Sequence, residues 1–209
     1  MNKFIKKTGL LSLAIILSPT ALADGNVRAH YSLENESNEV GAEYNITPVS
    51  KVGIIGESLA GTTDIKYTHT FIPVKNLYVS PIVGYFAYSS DNALSPGFED
   101  IVYGRLNVTY APIKQVALYA EYTDSIAVKD VDLGEVEQLR AGVIIKPVDN
   151  LSFVYRYAEQ EFVNFFGIET QKNEYWLSYK FTSGLEPYLY AIDQKGADLN
   201  VNLGLQYNF

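Results

Sequence analysis

Apolar and polar residues alternate with a period of two through segment after segment of this chain. Val27, Ala29, Tyr31 and Leu33 make one apolar row, and Asn26, Arg28, His30, Ser32 and Glu34 stand between them. Successive side chains of a strand point to opposite faces, whereas a helix needs apolar residues three and four apart. The pattern therefore predicts strands with one apolar and one polar face. The same alternation recurs in Val40 to Ile46, Ile65 to Phe71, Val79 to Tyr85, Val102 to Tyr110, Val116 to Tyr122, Leu139 to Ile145, Leu151 to Tyr157, Tyr175 to Phe181 and Leu199 to Phe209. Weaker phasing near residues 52–58 and 185–192 completes an expected set of twelve strands.

The connections divide into two kinds. Every second one is short and of recurring design: Thr47-Pro48-Val49-Ser50-Lys51, Ile72-Pro73-Val74-Lys75-Asn76, Ala111-Pro112-Ile113-Lys114-Gln115 and Lys146-Pro147-Val148-Asp149-Asn150, with Thr182-Ser183-Gly184 as a glycine version. Proline fixes its φ and has no N–H for a ladder, so it is expected to end a strand and open a tight turn. The intervening connections are mostly longer and more polar, as at 89–99, 124–135 and 159–172. Residues 161–168 are the exception. With Phe162, Phe165 and Phe166 they are too apolar for an ordinary solvated tip, and are read either as a lid or contact surface or as an extension of the strands.

At the N-terminus, Lys3, Lys6 and Lys7 precede an apolar run from Gly9 to Leu17 and the small-residue triplet Ala21-Leu22-Ala23. That is the layout of a secretory signal peptide, expected to be cut before Asp24. Its apolar run is about half of the roughly 20 residues a helix needs to cross a bilayer, which argues against an anchor. Residues 1–23 are thus read as signal and 24–209 as one barrel domain. Losing three lysines turns the formal charge of −8 into about −11, which disfavours nucleic acid as a partner. With no cysteine, no disulfide or thiol chemistry is available.

Mean hydropathy is close to zero, although 17 tyrosines and 10 phenylalanines make the chain strongly aromatic. A transmembrane barrel reconciles the two, since only alternate residues meet lipid. Tyr44, Phe71, Tyr110, Phe153, Phe181 and Tyr207 fall near the short turns, and Tyr31, Tyr85, Tyr122, Tyr157 and Tyr175 near the longer connections. Two such girdles suit the two interfaces of a bilayer. A soluble β-sandwich or lipocalin-like barrel would turn its apolar rows inward and would have no use for them.

The ending Leu203 to Phe209, with aromatic or apolar residues at every second place and a terminal Phe209, resembles the C-terminal strand of Gram-negative outer-membrane β-barrel proteins. The resemblance implies an all-β, antiparallel up-and-down transmembrane barrel in the cell outer membrane. It also implies Phe209 as an assembly signal read by the barrel-assembly machinery, with membrane lipids and lipopolysaccharide as surroundings. In size the chain is similar to small monomeric twelve-stranded porins, the oligogalacturonate type among them, although it carries no diagnostic motif of theirs.

Function has to be read from the inward rows. Arg28, Lys66, Arg105, Arg140, Arg156 and Lys180 are expected there, with Glu43, Glu57, Glu121 and Glu174 opposing them. Charge on the lipid face costs roughly 2 to 4 kcal/mol at the midplane, so any barrel turns such residues inward, and their placement alone does not make a channel. Trp176, Tyr103, Tyr119 and Tyr190 are expected on the same face. Twelve strands give a backbone radius of roughly 12 Å, and side chains leave about half of it. The expected role is passive diffusion of small hydrophilic solutes, sugars or small anions among them. A closed surface-interaction barrel is the alternative. The expectation at the Arg105, Glu121 and Arg140 group is that the single carboxylate offsets only one arginine.

An enzyme is the third class. His30 and Ser32 resemble the His-x-Ser of outer-membrane phospholipase A, but here they share the inward row with Arg28, and no suitable Asn follows. A triad needs base, nucleophile and orienting group within hydrogen-bond reach. Two scattered histidines without cysteine offer no metal cluster. No catalytic residue, metal or cofactor is assigned.

Overall fold

The computed structural model describes residues 24–34, 37–58, 61–88, 100–128, 135–162 and 168–209. The expected signal segment 1–23, the connection 89–99 and the apolar tip 163–167 lie outside them.

Among the described residues the secondary structure is entirely strand. The segments are β1 (Gly25–Ser32), β2 (Asn38–Thr47), β3 (Ser50–Glu57), β4 (Thr62–His69), β5 (Phe71–Val74), β6 (Leu77–Tyr88) and β7 (Ile101–Ile113). They continue with β8 (Val116–Ala127), β9 (Val136–Val148), β10 (Leu151–Phe162), β11 (Ile168–Tyr179), β12 (Leu185–Gln194) and β13 (Asn200–Asn208). Each pairs antiparallel with its neighbours. The ring closes where β1 meets β13, with Val27 opposite Tyr207, and where β4 meets β6, with Ile65 opposite Tyr85. Reciprocal backbone bonds of 3.1 Å between Gly25 and Phe209 tie the chain end into this seam.

The thirteen segments make twelve wall strands, because β4 and β5 follow one another along the same edge of β6. The break between them falls opposite Pro81, flanked by the pairs Thr68 with Ile82 and Phe71 with Val79. Proline has no N–H to give the ladder there. A side-chain bond of 2.9 Å between Thr70 and Ser80 bridges the gap.

The short turns are tighter than the proline pattern predicts. Strand pairing continues past Pro73, Pro112 and Pro147 to two-residue turns at Lys75-Asn76, Lys114-Gln115 and Asp149-Asn150. At each, the register slips by one residue across the proline, as between Tyr110 and Ile113. A bulge leaves one residue out of the ladder, and a residue without a donor fits that place. Asn76 takes the left-handed conformation its turn needs, at φ 67°.

On the other side the strands run further than their hydrophobicity does. β8 reaches Ala127, and β10 and β11 stay paired to Phe162 opposite Ile168, so the expected loops 124–135 and 159–172 are partly strand. Along β10 and β11 the backbone ladder carries the extension after the outward residues have turned polar at Glu159, Glu161, Glu169 and Gln171, whereas β8 keeps the apolar Ile126 outside. This is the strand-extension reading of the segment around Phe162; the tip itself lies outside the described residues.

The wall is inverted relative to a soluble protein. Val83, Leu106, Leu118, Leu139, Leu177, Leu203 and Leu205 are exposed on the outside, whereas the buried residues include Glu121, Gln138, Glu174, Asn202, Thr123 and Ser125. An apolar exterior around a polar interior fits lipid outside and water or ion pairs inside, and it excludes the lipocalin-like alternative.

Candidate functional site in the barrel lumen

Carboxylates and cations on the inner wall sit in pairs set by strand register. On the β1–β4 side, Arg28 meets Glu39 at 3.2 Å. Glu43 on β2 receives Lys51 at 2.9 Å and Lys66 at 3.1 Å. Asp64 accepts a 2.7 Å bond from the Tyr103 hydroxyl across β6.

On the β7–β11 side two further carboxylates each take two cations. Glu121 stands opposite Arg140 in the β8–β9 register, with Oε1 2.8 Å from Arg140 Nη1 and 3.5 Å from Arg105 Nε. Arg105 also donates to Thr123 at 3.0 Å and lies 5.2 Å from the Tyr103 ring centre. Glu174 stands opposite Arg156 and is in contact with it, and Lys172 lies at 3.2 Å. Glu174 is only 1% exposed. Glu121 therefore touches both arginines, while its single negative charge offsets one of their two positive charges. Four cations on two carboxylates still leave this half of the wall positive.

Toward the short-turn end lies a cavity of about 360 Å³, spanning the lumen from β7 and β8 to β13. Asn107, Thr109, Ser152, Ser178 and Gln206 give it a neutral polar lining, and Tyr119, Trp176 and Tyr188 an aromatic one. Trp176 stacks on Tyr190 at 4.2 Å and 29°, and on Tyr188 at 5.2 Å and 30°. Two of these rings depend on glycine. Tyr188 lies over Gly204 on β13 and Tyr119 over Gly142 on β9, each directly opposite, and a Cβ at either glycine would enter the ring. The tyrosines thus lie flat along the wall.

Arg28, Lys66, Arg105, Glu121, Arg140, Arg156 and Trp176 all fall on the inner face. Lys180 stands at the short-turn rim: it follows the last residue of β11, is exposed, and lines an open recess with Asn26, Asn45 and Asn208 of the inner rows. Sequence reasoning left out Glu39, Lys51, Asp64, Lys172, Glu186 and Tyr188. Parity alone would have placed Glu39 and Asp64, but Lys51 sat in an expected turn, Lys172 in an expected loop, and β12 was poorly phased.

His30 and Ser32 do not act on one another. His30 Nδ1 meets the Tyr188 hydroxyl at 3.2 Å, and Ser32 donates to Asn200 at 3.0 Å. A serine–histidine contact occurs instead on the outer face, where Ser50 Oγ is 2.7 Å from His69 Nδ1. The other ring contact of His69 is Phe71 at 4.6 Å, which supplies no orienting acid. Among the described residues no group of three or more acidic or histidine side chains is placed to hold a metal.

No family model matches the sequence, and no curated protein sequence matches it. Solved structures do. The KdgM porin superposes with a TM-score of 0.70 at 10% identity, covering 90% of this chain and 99% of its own, and is also known in complex with disordered oligogalacturonate. The NanC porin gives 0.69 at 11% identity, over 88% of this chain and 98% of that one. An outer membrane channel from Pseudomonas putida F1 gives 0.65 at 11% identity, over 90% and 96%. The chain has the closed, antiparallel twelve-stranded fold of the small outer-membrane porins.

Proposed function

We propose that this protein is an outer-membrane channel for passive diffusion of small hydrophilic solutes, sugars and small anions among them. The carrying observation is the inverted wall: a lumen lined by ion pairs, amides and hydroxyls inside an apolar exterior. Such a lining replaces part of a solute's hydration as it passes. The excess of Arg105, Arg140, Arg156 and Lys172 over Glu121 and Glu174 supports a weak preference for anions. The likeness in fold to the KdgM porin and its oligogalacturonate complex supports sugars as cargo. Lipopolysaccharide around the long-connection girdle and recognition of Phe209 by the barrel-assembly machinery belong to the same proposal.

Planar-bilayer recording on purified protein tests it. Discrete conductance steps are expected, with a reversal potential under a KCl gradient displaced modestly toward the chloride side. Absence of conductance would make this a closed interaction barrel, and clear cation preference would refute the charge reading.

A further inference from the structure

The cavity beneath the ion pairs differs in chemistry from the wall above it. Its 360 Å³ is the volume of about a dozen waters, enough for one pyranose ring with its hydroxyls, and lies at the lower end for small-ligand sites. One side is an aromatic platform. Trp176 is flanked by Tyr188 and Tyr190, and Tyr188 is itself fixed by His30 and by its seat on Gly204. A platform that needs no ordering on binding suits the C–H face of a sugar ring. Around it stand Asn107, Ser178 and Gln206. Tyr119 adds its ring to the lining, seated over Gly142.

The charges argue against an acidic ligand in this cavity. Arg156 reaches it, but its charge is already paired with Glu174, which weakens its pull on a second carboxylate. The lining also includes Glu121 and Glu186, and Glu186 accepts from Asn208 at 3.2 Å with no ion-pair partner among the described residues. A ligand carboxylate would face these.

We infer that the cavity is a binding site for an uncharged pyranoside, stacked on Trp176 and Tyr188 and hydrogen-bonded to Asn107, Ser178 and Gln206. This deepens the channel reading and rests on it. Small ions still respond to the positive β7–β11 half of the wall; the solute held in the cavity is selected by stacking and neutral hydrogen bonds.

Two readouts separate the site from the channel. Trp176 is the only tryptophan of the protein, so its fluorescence reports on this cavity alone. Titration of the purified protein with maltose should shift or quench that emission, and digalacturonate should need at least tenfold higher concentration. In bilayers maltose should interrupt the current. Trp176→Ala should raise the half-blocking concentration at least tenfold with open conductance retained, and Trp176→Phe, which keeps a stacking face, should recover most of the block. Maltose-dependent emission without conductance would overturn the channel and leave the site. Conductance with no maltose response in either readout, stronger binding of digalacturonate than of maltose, or a block unchanged in Trp176→Ala would overturn the site.

Discussion

Replacing Glu121 by glutamine keeps the shape and most hydrogen bonds of the side chain but removes the charge that Arg140 meets at 2.8 Å and Arg105 at 3.5 Å. Both guanidinium groups then face the lumen with one more uncompensated positive charge between them. For an ion on the axis of a passage of about 6 Å radius, one unit charge on the wall is worth ~0.7 kcal/mol in a water-like dielectric, and 0.1 M salt reduces this to ~0.4 kcal/mol. The anion gains what the cation loses, so the permeability ratio of chloride to potassium should rise by roughly fourfold. The reversal potential of Glu121→Gln under a tenfold KCl gradient measures this directly. Arg105→Ala with Arg140→Ala removes two positive charges and should move the potential the opposite way by about twice as much. An unchanged potential in both variants would refute the reasoning, because it would place these residues away from the ion path. A shift of Glu121→Gln toward cations would refute the facing of β8.

Glu174→Gln should destabilise the barrel by about 2 to 3 kcal/mol, read as a lower urea midpoint in lipid vesicles. That is less than the usual penalty for a broken buried pair, because Arg156 and Lys172 stay 22% and 19% exposed. Gly204→Val would drive Tyr188 off the wall and should lower stability by about 1 to 3 kcal/mol, visible as earlier loss of the fast-migrating unboiled band on gels. Gly104→Ala is its control, since nothing lies within 4 Å of a Cβ there, and should migrate unchanged. Deleting Phe209 removes the reciprocal bonds to Gly25 and the terminal aromatic; cells should assemble far less protein into the outer membrane while refolding in detergent persists. Equal membrane levels would remove its role as an assembly signal.

Architecture was legible in the sequence because strand parity is a local property. A residue's neighbours two places away decide which face it shares, so the rows from Val27 to Leu33 and from Leu199 to Tyr207 name their own outer faces, and the inner placement of Arg28, Arg105, Arg140, Arg156 and Trp176 follows. Strand number followed from counting rows and turns. Where hydrophobicity stops marking the strand, as at Glu159 to Phe162 and Ile168 to Lys172, the same logic ended too early, since a ladder can outrun its apolar face. Partnership was not legible. That Glu121 serves two arginines, that Glu174 is shared with Lys172, and that Trp176 stacks with Tyr188 and Tyr190 depend on cross-strand register and on how far each side chain reaches across it. Register is set by turns and bulges acting over whole hairpins, such as the slips at Pro112 and Pro147. The cavity is more remote still. Asn107 and Gln206 lie on β7 and β13, on opposite sides of the ring, and only closure of the barrel brings them to one space.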